Sequence, residues 1–195
     1  TLPPEQFSSG MGEVIKHGLI RNREYYRWLK EHQKEINLRD LEICQTMVLV
    51  SNQIKGEVVE KDPTEKGDRA LLNFGHTLGH AIEKLKDFTM FHGHCVGLGA
   101  IAASEISADR GLISKEEAED IRRTMEQFGI PASVSGLSRE EVIAATKLDK
   151  KMEAGVVKFI LLKQIGQAFV DRTVTDQEME AGLESVLEME EAQRR

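Results

Sequence analysis

Apolar positions recur at three- and four-residue steps over most of the chain, the period of a helix that buries one face. Residues 23–36 and 38–61 read as two such helices, the second carrying Leu41, Cys44, Val48 and Val58 on its stripe and expected to bend near Gly56. The polar stretch 62–68 reads as a loop. Helices are predicted next over 71–85 and 95–108, with Arg110 and Gly111 as the stop signal. Ser114-Lys-Glu-Glu117 has the form of a capping box, in which serine and glutamate satisfy the free amides of a first turn; it opens a helix that ends at Gly129-Ile-Pro131. Ser138-Arg-Glu-Glu141 opens another. Residues 156–162 and 167–170, joined through Ile165 and Gly166, predict a β-hairpin, and Thr175-Asp-Gln-Glu178 begins a final helix before a charged tail. The fold class expected is mainly α, a multi-helical domain with one small hairpin.

Composition narrows the class. A chain of 195 residues with 40% hydrophobic and 30% charged residues can bury one good core and reads as one domain. The net charge of −7, concentrated in acidic stretches 116–126 and 178–191, disfavours broad attraction to nucleic acid or anionic membrane; those stretches read as solvated helix faces. No apolar run approaches the roughly 20 residues that span a bilayer, and no signal peptide is evident. Cys44 and Cys95 show no paired spacing, so a reducing cytoplasm is expected and Cys95 reads as a buried thiol.

The histidines carry the chemistry. Three of the chain's six, His76, His80 and His92, fall in one short, sparsely charged run. His76 and His80 share a helix face, and a turn could return the next helix to set His92 beside them. A lone histidine on an apolar face is usually a packed, hydrogen-bonded residue, but three together suit a metal. A catalytic zinc-type site of two imidazoles also needs a carboxylate and an open position. Glu13 is one candidate, and spacing does not select it from 33 acidic residues. Glu83, on the face of His76, and Glu105 read as structural carboxylates; His17 and His32 read as surface or structural. Gly97-Leu-Gly-Ala-Ile-Ala102 has the form of a dinucleotide fingerprint but follows no strand, so its small residues are expected to let two helices approach, and no NAD site is expected here.

The segments Gly10-Met-Gly-Glu-Val-Ile-Lys-His-Gly-Leu-Ile20, Leu72-Asn-Phe-Gly-His-Thr-Leu-Gly-His-Ala-Ile-Glu83, His92-Gly93, Asp149-Lys-Lys151 and Val157 to Gly166 together resemble the 3-dehydroquinate synthase family, in that family's order. The resemblance implies that residues 1–195 form the helical C-terminal metal- and substrate-binding domain, with an N-terminal NAD-binding domain lying outside this chain and a homodimer at full length. It implies a lyase that turns 3-deoxy-D-arabino-heptulosonate 7-phosphate into 3-dehydroquinate and phosphate, within the shikimate route to aromatic amino acids, and an isolated fragment without activity. It assigns a divalent metal, zinc or cobalt, to Glu13, His76 and His92. Lys16, Lys55, Arg69 and His80 are implied as catalytic, with Lys16 at a substrate hydroxyl and Lys55 and Arg69 at the substrate carboxylate. Asn73, His80 and Lys150, in preference to Lys151, fall to the phosphate end, and Glu65 to the pocket. The family's commonest His-Gly-Glu is His92-Gly-His94 here, a change expected to alter what orients His92. Two other readings stay open: another sugar-phosphate cyclase or metal-dependent polyol dehydrogenase, and a non-catalytic helical domain stabilised by a metal.

Overall fold

The computed structural model describes residues 2–62, 67–148 and 157–188, so Glu65, Lys150 and Lys151 lie outside the described residues. Helix α1 (Pro4–Arg21) opens on a proline at its first position, where the missing amide costs nothing. Asn22 ends it and caps α2 (Arg23–Glu31), its side chain accepting from the Tyr25 amide at 2.9 Å.

The helix predicted over 23–36 is divided. At His32 the backbone turns to φ −105° and ψ 19°, and α3 (Gln33–Asn37) follows as a short separate helix. The His32 ring stacks on Trp28 with centroids 4.4 Å apart and Nδ1 meets the Trp28 carbonyl at 3.0 Å, which bears out a structural role. Helix α4 (Leu41–Lys61) starts three residues later than predicted, because Asp40 caps it through the Ile43 amide, and it continues through Gly56 as one element.

The helix predicted from 71 also breaks. Residues Asp68–Asn73 form a 3-10 turn, Gly75 adopts φ +79°, and α5 (His76–Leu85) begins only then. The cause is non-local. Helix α6 (His92–Asp109) passes so close that a Cβ on Gly99 would lie 1.9 Å from the Gly75 carbonyl oxygen, and one on Gly75 would meet the Val96 oxygen at 2.5 Å. The small residues of 97–102 thus serve close helix packing, as expected.

Helix α6 is apolar nearly all round and is the buried axis of the domain, packed by α1 and α5 and by helices that follow. Leu98, Ala100, Ile101 and Ala102 are wholly buried; truncating a leucine or isoleucine of this kind to alanine costs about 2–5 kcal/mol. Helices α7 (Lys115–Gln127) and α9 (Asp176–Glu184) carry complete capping boxes at Ser114 with Glu117 and at Thr175 with Glu178. Ser138 caps α8 (Arg139–Leu148) in the same reciprocal manner. Strands β1 (Phe159–Gln164) and β2 (Gln167–Asp171) form the antiparallel hairpin, docked on α6 where the Leu162 amide donates to Ser107 Oγ at 3.1 Å.

At the C-terminal end of α6, Arg110 donates to both carboxylate oxygens of Glu178, at 2.6 and 2.9 Å, and to Asp171 at 2.9 Å, joining α6, β2 and α9. No described helix is long and apolar enough to cross a membrane.

Candidate metal and oxyanion site

Helix α5 carries His76, His80 and Glu83 at positions i, i+4 and i+7, one continuous stripe. The loop after α5 returns the chain so that His92 opens α6 against that stripe. Each of His76, His80 and His92 offers a ring nitrogen, and the three nitrogens lie within 4.8 Å of one another. The ring centroids are 5.1 to 5.6 Å apart.

Glu13 reaches this cluster from α1. Its Oε2 accepts from Lys16 Nζ at 2.7 Å, and its Oε1 lies 3.8 Å from His76 Nε2. That Oε1 is buried and has no hydrogen-bond partner among the described residues. A buried carboxylate oxygen without a donor is costly, and a cation between it and the imidazoles would satisfy it. The donor set, borderline nitrogens with one oxygen, suits zinc or cobalt. Residues and metal therefore fit.

Beside the cluster lies a cavity of about 220 Å³. Lys16, Lys55, Arg69 and Asn73 line it from α1, α4 and the 3-10 turn, together with Leu72, and Glu13 and His76 form the wall shared with the histidines. Three cations facing one hollow make a receptor for an anion in a domain of net negative charge.

Burial tunes these groups. Lys16 is 2% exposed; desolvation, with Lys55 nearby, pulls its ammonium below the usual lysine range despite the opposing pull of Glu13. Burial acts to raise the Glu13 carboxyl, but the charge and hydrogen bond of Lys16, with His76 and His17, together hold it below its ordinary value. His76 is pushed down to about 4 by burial and by Lys16, so it is neutral at pH 7 and its lone pair is available to a metal.

His17, read from sequence as surface or structural, is not on the surface but in the cavity wall. It is 4% exposed, its Nδ1 pairs with Ser51 Oγ at 2.8 Å, and it lines the cavity with Nε2 buried and without a hydrogen-bond partner among the described residues. Its four-residue spacing from Glu13 was the available signal. The expectation for His94 also needs correcting. Its Nε2 pairs with Ser8 Oγ at 2.7 Å and it is buried against α1, because two residues of helical rotation from His92, about 200°, turn it away from the cluster. The group that meets His92 is Glu83, with Oε2 at 3.1 Å from Nδ1.

The fold is one found in larger enzymes. It matches 2-epi-5-epi-valiolone synthase from Streptomyces hygroscopicus, solved with NAD+ and Zn2+, at a TM-score of 0.86 and 23% identity over 94% of this chain and 51% of that one. It also matches 2-deoxy-scyllo-inosose synthase, solved with carbaglucose-6-phosphate, NAD+ and Co2+, at 0.78 and 19% identity over 95% of this chain and 54% of that one. Sequence comparison is more particular. The family model for the 3-dehydroquinate synthase C-terminal region matches residues 10–152, and the chain belongs to that family. The 3-dehydroquinate synthase of Nitrosospira multiformis is 39% identical over 175 residues, 89% of this chain and 48% of the relative; that of Ruminiclostridium cellulolyticum is 37% identical over 92% and 50%. The chain spans about half the length of these curated relatives.

Proposed function

We propose that this chain is the metal- and substrate-binding half of an enzyme that converts 3-deoxy-D-arabino-heptulosonate 7-phosphate to 3-dehydroquinate and phosphate. The observation that carries this reading is the cavity lined by Lys16, Lys55 and Arg69 that shares Glu13 and His76 with the histidine cluster. A substrate with a carboxylate at one end and a phosphate at the other needs such a concentration of donors, and a neutral polyol does not.

Glu13, His76 and His92 would hold the divalent cation, which when bound supplies Lewis-acid polarisation of substrate hydroxyls. Lys16, fixed by Glu13 and nearly dry, donates to a substrate hydroxyl and keeps the carboxylate ionised. Arg69 and Lys55 hold the substrate carboxylate, the guanidinium with a geometry that permits two parallel hydrogen bonds. Asn73 and His80 bind toward the phosphate, a group joined in this reading by Lys150, with Glu65 completing the pocket. NAD+, bound chiefly by the half of the protein outside this chain, supplies the hydride acceptor. The reading carries with it a full-length homodimer in the cytoplasm.

One observation favours a second arrangement. A ring nitrogen of His80 lies within 4.8 Å of those of His76 and His92, a separation at which it could ligate as a third imidazole, beside Glu13 or in its stead. Titration of Co2+ into His80→Ala decides between them: affinity near that of the parent leaves His80 to the substrate, and a loss of a hundredfold or more makes it a ligand.

The function is tested by joining the chain to its N-terminal half and assaying phosphate release from the seven-carbon keto acid phosphate with NAD+ and Zn2+ or Co2+. Turnover is expected from the complete protein and none from the chain alone. A complete protein that releases no phosphate, or a fragment that does, overturns the proposal.

A further inference from the structure

We infer that Glu83 is a positioning residue that fixes the tautomer and ring orientation of His92, so that Nε2 is the nitrogen presented to the metal. The inference rests on the metal reading above and extends it to a residue that touches neither metal nor substrate. His92 is the most exposed of the three clustered imidazoles, its side chain 45% accessible, and it sits at the first residue of α6 with no helical turn before it to hold the ring. A ligand so placed needs an anchor.

Glu83 supplies one. It lies seven residues after His76 on the same stripe of α5, its side chain is 17% exposed, and its Oε2 stands 3.1 Å from His92 Nδ1. An ionised carboxylate is only an acceptor, so the hydrogen bond requires the proton on Nδ1 and leaves the lone pair on Nε2. The carboxylate also offsets the partial positive charge at the N-terminus of α6, which would otherwise oppose a bound cation. One helix thus carries His76 as a ligand and, two turns on, the group that aims the other imidazole. Glu83 was read from sequence as structural, and its partner became visible only when the loop between α5 and α6 brought His92 back.

Two measurements on the 195-residue chain test this, each with circular dichroism to confirm that the variant folds. Long-range 1H–15N spectra of the metal-free protein report which nitrogen of His92 carries the proton. Nδ1–H is expected in the parent and a shift toward Nε2–H in Glu83→Ala; an Nε2–H tautomer in the parent overturns the inference. Calorimetric titration with Co2+ should give a dissociation constant raised about 10- to 100-fold in Glu83→Ala, with a smaller rise in Glu83→Gln, which keeps an acceptor but not the charge. If His92→Ala loses Co2+ while both Glu83 variants stay within about twofold of the parent, Glu83 does not position the ligand. If His92→Ala and His76→Ala also bind as the parent does, the metal reading itself falls and this inference with it.

Discussion

Two polar clusters flank the buried helix α6, and they are built on opposite plans. At its C-terminal end Arg110 donates to Glu178 twice, to Asp171 and to Thr173, and the opposing charges meet within hydrogen-bond distance. That contact holds the Glu178 carboxyl down to about 2 through the Arg110 hydrogen bond. Near the N-terminal end of α6, Glu13 and His17 each keep a buried polar atom without a partner among the described residues, and three cations line one cavity. The first cluster is complete in the folded chain and can only hold elements together. Among the described residues the second leaves two buried hydrogen-bonding positions open, on Glu13 and on His17, a deficit the first does not have. Unmet polar demand, more than the number of charged residues, separates the candidate site from the structural cluster.

The comparison breaks most directly at the metal. If His76 ligates as proposed, His76→Ala should weaken Zn2+ or Co2+ binding more than about a hundredfold by calorimetry, because a ligand is lost and not merely an orienting group; Arg110→Ala should leave that affinity alone. Equal loss in both would mean the two ends are energetically one unit.

The next effect is on stability against pH. Burial lowers His17 to about 4 from an ordinary 6.5, so between those values the unfolded chain binds a proton that the folded one refuses. Stability tied to this group is therefore full above pH 6.5 and falls as the solution is acidified toward pH 4. The loss is about 2 kcal/mol at pH 5. Urea titrations at pH 7 and pH 5 should show a smaller difference between the two pH values in His17→Gln than in the parent; an identical difference would mean that His17 is not buried neutral.

Arg110→Ala should cost roughly 2 kcal/mol in the same assay at pH 7, since it removes the cation that joins Asp171 and Glu178 to α6. Lys55→Met is the mirror case. Lys55 is exposed at the cavity rim, so stability should change by less than about 0.5 kcal/mol, whereas KM for the substrate in the complete protein should rise about tenfold. A Lys55→Met variant that unfolds easily, or one that keeps its KM, would erase the distinction between the two ends.

The same contrast governs how much could be read from sequence. The capping boxes at Ser114 and Thr175 and the hairpin around Ile165 and Gly166 were legible because each is settled within a few residues. The break at Gly75 was not, because helical periodicity runs on through it and only the approach of α6 requires its left-handed backbone. The four-residue step from His76 to His80 announced a site. Glu13 was named by family resemblance alone, and its tie to His76 spans 63 positions of chain that no periodicity relates. His94, a departure from the family's form, looked consequential because it lies two residues from His92, a ligand in the proposed arrangement. Helical rotation places it against Ser8 instead, where it binds α1 to α6.

The near-contact of Gly75 and Gly99 has a consequence for how this site can vary. Those two backbones touch directly beneath His76, and His92 sits at the head of the same helix as Gly99. The spacing of the two backbones that carry these imidazoles is therefore set by main-chain contact. A single methyl group at Gly99 would force Gly75 and α6 apart and so shift the backbones of His76 and His92 together.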